Sequence, residues 1–177
     1  MIRTKEELSE VLYDKNANGP DPVYKVTGDV PNKNWVNVTI IEPGDFNGEF
    51  PKTYGHYNPE NSPREKYKVV EGKGVLLLQK RDLSKVFLIE ANPKDELIIP
   101  NSYGHSWSNV GDSRFVTYDN WSLEHTPEDY KLIKELHGMA YYVLKDGENI
   151  KTIPNPNYKN LPPIKKLTPE EFSKLRK

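Results

Sequence analysis

A chain of 177 residues, 35% of them hydrophobic, is long enough for one compact domain with a real core and short for two. Its 25 basic and 26 acidic side chains leave a formal charge of −1, so no global field favours nucleic acid or anionic lipid as a partner. The absence of cysteine excludes disulfides, thiolate zinc sites and thiol nucleophiles, and leaves any metal to nitrogen and oxygen donors with only four histidines to draw on.

The chain opens with TKEELSEVL, where Thr4 and Glu7 stand at capping-box spacing and predict a short helix that ends before the turn-rich DKNANGPDP. This opening lacks the apolar core of a signal peptide, and no stretch approaches the ~18 consecutive apolar residues of a membrane span. A soluble, cytoplasmic protein is the expectation. The period then changes. VYKVTGDV, WVNVTIIEP, YKVVEGKGVLLLQKR, KVFLIEAN, DELIIP and RFVTYDNW are β-branched or aromatic runs punctuated by Gly, Pro, Asn and Asp, and they predict an antiparallel all-β core.

Helix returns in TPEDYKLIKEL, with a threonine cap, proline at the first helical position, and Leu132, Ile133 and Leu136 at helical spacing. AYYVLKDGENIKTI reads as a hairpin turned at Asp146-Gly147. The proline-rich PNPNYKNLPPIKKL reads as an extended surface strap before a last helix, TPEEFSKLRK, with a second Thr-x-x-Glu box. The division expected is a helical extension over 1–20, a β domain over 21–158, and a strap and helix over 159–177.

Chemistry concentrates in two short stretches. Alternate side chains of a strand share a face, so His56 and Asn58 in TYGHYNP project together. Glu65 follows a loop rich in Pro and Asn that lets the chain return alongside. IIPNSYGHSWSNVGD adds His105, with Pro100 five residues before it and Asn109 four after. Two hairpins of this kind can converge in a small barrel. Each residue also has an ordinary structural reading. The histidines could be hydrogen-bonded barrel residues, Glu65 a solvated charge between Arg64 and Lys66, Thr39 and Thr53 plain strand residues, and Tyr24 and Tyr67 aromatics at the core edge. His137, before Gly138, fits a helix C-terminal cap better than a ligand.

The spacing resembles that of the cupin superfamily, whose first motif is a glycine-led His-x-His followed by Glu and then Gly, and whose second runs Pro, His, Asn. Glu65 to Gly72 and Pro100, His105 and Asn109 hold that spacing. His56 takes the first histidine position and Asn58 the second, while the glycine that opens the second motif is replaced near Lys94 and Asp95. A narrower likeness, over about residues 20 to 158, is to the archaeal-type cupin glucose-6-phosphate isomerases. It is carried by DPVYKV, Pro43-Gly44, Glu49 to His56, EGKGVLLLQ, IIP, GHSWSNVGD and DGENIKTIPNPNY.

What this resemblance implies is a cupin fold, a jelly-roll barrel with short terminal helices, forming a cytoplasmic homodimer that interconverts glucose 6-phosphate and fructose 6-phosphate. It implies a divalent ion, iron, manganese, nickel or zinc, held by His56, Glu65 and His105 with Asn58 in the place of a histidine. Glu65 is the implied catalytic carboxylate. Tyr24, Thr39, Thr53 and Gly55 match phosphate-contacting positions, and Tyr67 one near the sugar chain. Trp121 stands where the family tends to have a tyrosine, and His125 and Tyr130 lie near its further substrate-side histidine and tyrosine.

An amide oxygen is a weaker donor than imidazole for late first-row metals, so Asn58 lowers the expected affinity for nickel, zinc or iron and tilts the site toward manganese or magnesium. With the family's metals in view, manganese or iron is favoured. The phosphate is expected to meet hydroxyls and the backbone N–H groups of the bend at Thr53 and Gly55. Two alternatives stay open: a non-catalytic sugar-phosphate binder with a degenerate metal site, and a cupin isomerase or epimerase for another sugar.

Overall fold

The computed structural model describes residues 1–175; Arg176 and Lys177, the last two residues of the predicted C-terminal helix, lie outside the described residues. The N-terminal capping box forms as its spacing requires. The Thr4 hydroxyl accepts from the Glu7 N–H at 3.3 Å, and the Glu7 carboxylate accepts from the Thr4 N–H at 2.8 Å. Helix α1 (Lys5–Leu8) continues into a 3-10 turn over Ser9–Val11, and the two bury Leu8 and Val11 in the core.

The chain then builds two facing sheets. One has six strands in the order β1 (Ile2–Arg3), β2 (Tyr24–Thr27), β3 (Asn37–Ile41), β10 (Phe115–Asp119), β5 (Glu65–Glu71), β8 (Glu96–Ile99). The other has five, in the order β13 (Lys165–Leu167), β7 (Val86–Ala91), β6 (Gly74–Lys80), β9 (Tyr103–Asn109), β4 (His56–Tyr57). Together they form the two walls of an all-β barrel, with Ile41, Val69, Leu97, Ile99 and Phe115 of the first and Leu76, Leu78 and Trp107 of the second among the fully or nearly fully buried residues.

Period-two burial follows the sequence alternation. In β5 the buried positions are Glu65, Tyr67 and Val69; in β10 they are Phe115, Thr117 and Asp119. Strand β6 is buried along nearly its whole length, as an apolar run covered on both faces must be. Its Gln79 is fully buried and satisfied on three sides: its amide nitrogen donates to the Tyr57 and Tyr158 hydroxyls at 2.7 and 3.1 Å, and its oxygen accepts from the Ala140 N–H at 2.6 Å.

Helix α2 (Pro127–Glu135) and the hairpin β11 (Tyr141–Asp146) and β12 (Asn149–Pro154) lie where periodicity and turn residues put them. The turn itself is centred on Gly147-Glu148, one residue later than expected, because Asp146 already pairs with Asn149 and the positive φ of 61° falls on Gly147. The predicted strap differs more. After its prolines end at Pro163, Lys165–Leu167 joins the sheet edge as β13, parallel to β7, and buries Leu167. An edge place tolerates a strand that could not enter a sheet interior. Helix α3 (Pro169–Leu175) closes with the expected box between Thr168 and Glu171. No helix among the described residues is long and apolar enough to cross a membrane.

Candidate metal centre and cavity

The second sheet brings the two histidines together by strand pairing alone. His56 of β4 is the direct cross-strand partner of His105 of β9, and their ring centroids lie 4.3 Å apart. Glu65 comes from the facing sheet. As the first residue of β5 it points inward, and its Oε2 lies 3.1 Å from His105 Nε2 and 3.7 Å from His56 Nε2. The candidate ligand atoms of these three residues all fall within 4.8 Å of one another.

Asn58 belongs to the same cluster. Its fully buried amide donates from Nδ2 to Glu65 Oε2 at 2.7 Å, so it turns toward the carboxylate and not away. The Tyr67 hydroxyl lies 3.2 Å from His105 Nε2. His56 Nε2, His105 Nδ1 and Asn58 Oδ1 are buried without a hydrogen-bond partner among the described residues. Orphaned acceptors of this kind cost stability unless something satisfies them. Two imidazoles, one carboxylate and a spare amide oxygen are a donor set that suits a divalent cation.

The electrostatics agree with that fit. Burial opposes ionisation of Glu65, but His105 and His56 beside it outweigh burial and hold the carboxyl well below the usual carboxylate range. Burial and the neighbouring His105 push His56 down. An ionised carboxylate and a neutral imidazole are the protonation states that ligation requires.

Above the cluster lies a cavity of about 290 Å³, to which Tyr24, Thr39, Thr53, Gly55, His56, Glu65 and Tyr67 all contribute. His105 and Asn58 are not among its lining residues. Against this geometry stand the sequence comparisons. The family model described as "Glucose-6-phosphate isomerase (GPI)" matches residues 5–159. The chain belongs to that family. A "Glucose-6-phosphate isomerase" of Thermococcus onnurineus (strain NA1) is 30% identical over 69% of this chain and 63% of its own length, and one of Pyrococcus abyssi (strain GE5 / Orsay) is 30% identical over 70% and 64%. The chain thus spans a little under two thirds of the curated relatives it matches first. The capsular polysaccharide assembling protein CapF of Staphylococcus aureus is similar in structure at a TM-score of 0.46 and 21% identity, over 64% of this chain and 33% of that one, which is too partial to bear on function.

The other residues that the glucose-6-phosphate isomerase likeness singles out sit as follows. Trp121, His125 and Tyr130 line the cavity too. Trp121 stacks on His125 at 5.3 Å and 7°, and the His125 ring is 4.0 Å from that of His56. Burial, with His56 beside it, pushes His125 down to about 4, so this ring is neutral at neutral pH. His137 lies away from the centre. It occupies the left-handed position after α2, at φ 55°, with its ring 3.3 Å from the Glu10 carbonyl. Lys94, at the place where the second motif has its glycine, keeps the glycine conformation with φ 86°.

The bend at Thr53 and Gly55 supplies fewer free amides than its sequence suggests. The Thr53 N–H is spent on the Trp107 carbonyl at 2.8 Å, and the Tyr54 N–H on the Tyr24 hydroxyl at 3.4 Å. Hydroxyls remain. Thr53 Oγ1 accepts the Trp107 N–H at 3.0 Å and lies 3.3 Å from Ser106 Oγ, whose own proton goes to the Thr53 carbonyl at 2.8 Å, so the threonine proton is shared with Ser106. Gly55 is required here, since its φ is 87° and a Cβ would come within 3.0 Å of Met139 Sδ.

Polar residues at and beside the cavity escaped sequence reasoning. Asn37 and Asp119 line it, and Arg3 lies close by, its guanidinium 5.8 and 5.7 Å from the Tyr54 and Tyr130 ring centres. Arg3 pairs with Tyr24 across β1 and β2, which turns both to one face of the sheet.

Proposed function

We propose that this protein is a metal-dependent aldose–ketose isomerase that interconverts glucose 6-phosphate and fructose 6-phosphate. The observation that carries the reading is the His56–Glu65–His105 cluster, its ligand atoms within 4.8 Å of one another, at a cavity of about 290 Å³, close to the ~300 Å³ at which small-molecule sites begin. His56, Glu65 and His105 hold the metal and Asn58 completes its surroundings. Manganese or iron is the favoured ion. Bound there, it would polarise the sugar oxygens on which charge develops.

The chain's own groups do the rest. Glu65 is the proton carrier, between C1 and C2 in an enediol path or between O1 and O2 in a hydride-shift path. Tyr24, Thr39, Thr53 and Gly55 take the phosphate, and Tyr67 the sugar chain. Burial pushes the Tyr24 hydroxyl up to about 12, and burial with the Glu65 charge pushes Tyr67 well above the ordinary tyrosine range. Both stay protonated donors at neutral pH. Residues 21–158 supply the body of the cupin domain, to whose sheet edges β1 and β13 add, and the enzyme works as a cytoplasmic homodimer.

Purified protein loaded with manganese or iron converts fructose 6-phosphate to glucose 6-phosphate in a coupled assay; no turnover across a panel of divalent metals rejects the isomerase. One observation favours a second reading, a sugar-phosphate binder without turnover: Asn58 presents its N–H, and not its oxygen, to Glu65. A saturable thermal stabilisation by a phosphorylated sugar acid, with no isomerase rate, selects it.

A further inference from the structure

The cavity contains a carboxylate that no cation among the described residues answers. Asp119 ends β10, between β3 and β5, and its cross-strand partners Asn37 and Tyr67 are cavity residues like itself. The residue is 4% exposed. Both of its protein donors go to one oxygen: Asn37 Nδ2 donates to Oδ1 at 2.7 Å and the Trp121 N–H at 2.9 Å. Asn37 Nδ2 also donates to the Trp121 carbonyl at 2.8 Å, which locks the three residues together. Among the described residues Asp119 forms no ion pair, its side-chain hydrogen bonds both go to Oδ1, and no lysine or arginine lines the cavity.

Structure alone does not call for the charge. An asparagine would present an amide oxygen to the same two donors and would not place an unpaired charge in a buried site, which is costly. What aspartate adds is Oδ2, a strong acceptor beside the cavity. A phosphate is repelled by it. A neutral hydroxyl is the matching partner, because an ionised acceptor forms the stronger class of hydrogen bond.

We propose that Asp119 is a specificity-determining residue whose Oδ2 accepts a hydrogen bond from one hydroxyl of the sugar chain. It fixes the rotation of that chain and keeps the phosphate on the side of Thr53. The inference rests on the sugar-phosphate reading of the cavity. Its consequence is selectivity, since a substrate lacking that hydroxyl leaves a buried carboxylate unmet.

The test is a cycle between protein and ligand. Fructose 6-phosphate and its single-deoxy analogues are titrated calorimetrically into the manganese-loaded wild type, Asp119→Asn and Asp119→Ala, and kcat/KM is measured for the same set. In the wild type one analogue binds about tenfold or more weakly than the parent sugar, and in Asp119→Ala that gap shrinks to about threefold or less while the gaps for the other analogues persist. Asp119→Asn keeps the bonds to Asn37 and Trp121 and falls between the two. If every analogue loses the same factor in both variants, Asp119 shapes the cavity without touching the sugar and the proposal fails, with the isomerase reading intact. Binding without turnover rejects the isomerase and leaves the cycle readable in dissociation constants. A wild type that binds no sugar phosphate rejects both.

Discussion

Removing the Asp119 charge is expected to stabilise the metal-free protein, and the size of the effect follows from its surroundings. Burial, first, and the negative Glu65, second, push this carboxyl from 3.8 to about 6, against the hydrogen bonds from Asn37 and Trp121 that favour ionisation. A displacement of about two pH units corresponds to about 3 kcal/mol at about 1.4 kcal/mol per unit. The folded value is the higher one. Between about pH 4 and 6 the native state therefore holds a proton that the unfolded chain has released, and wild-type stability falls as pH rises through that window. Above it the loss is complete and constant. Asp119→Asn has no proton to lose. Glu65, held ionised by His105 and His56, keeps its charge over the same range. Urea unfolding of chelator-treated wild type and Asp119→Asn at pH 4.5 and 7.5 measures the difference. The advantage of the variant grows by about 2 kcal/mol or more from the lower to the higher pH. An advantage that does not change with pH would mean that the carboxylate is not strained, and would refute the electrostatic account of this site.

Three further outcomes are expected. Glu65→Gln lowers kcat for fructose 6-phosphate by about 10³-fold with unchanged circular dichroism, and a variant retaining a tenth of the activity would remove Glu65 from the chemistry. Asn58→His replaces an amide by an imidazole, a stronger donor for late first-row metals, and tightens nickel or zinc binding by about tenfold or more in a chelator competition; equal affinities would show that position 58 never meets the ion. Lys94→Gly relieves an exposed lysine held at φ 86° and raises stability by about 1 kcal/mol, read as a shift of the urea midpoint at constant slope.

Much of this architecture was legible because short-range rules and long-range packing agree. Both Thr-x-x-Glu boxes cap helices, and the β-branched runs between turn residues became strands with buried alternate positions. What escaped was non-local. Two residues cannot show a period, so Ile2–Arg3 carried no strand signal until β2 offered an edge to it. Lys165–Leu167 carries no β-branched residue, and its strand depends on an edge of β7 some eighty positions earlier. The metal cluster was readable because His56, Asn58, Glu65 and His105 stand at motif spacing. Asn37 and Asp119 were not, although each is two residues from a threonine on the same face. Alternation links Asn37 to Thr39 and Asp119 to Thr117, but which face turns inward is decided by the pairing of β3 with β10. The backbone amides of the Thr53 bend were misjudged for a related reason: Trp107 and Tyr24, which consume them, lie far away in sequence.

Among the described residues no lysine or arginine lines the cavity, which is coherent once its charges are placed. A basic side chain beside Asp119 would neutralise it and remove the acceptor proposed for the sugar. A basic side chain beside Glu65 would compete with a cation for the same carboxylate. An anionic group is better held, in such a site, by donors that carry no charge, and Tyr24 and Tyr67 are kept neutral by their burial. Arg3 has a position that avoids both conflicts. It pairs with the exposed Glu7 at 3.4 Å and faces the rings of Tyr54 and Tyr130, so its positive charge can favour an anion on the Tyr24 side without approaching either buried carboxylate. On the proposed reading, a domain of net charge −1 then binds a sugar phosphate through hydroxyls and one peripheral guanidinium.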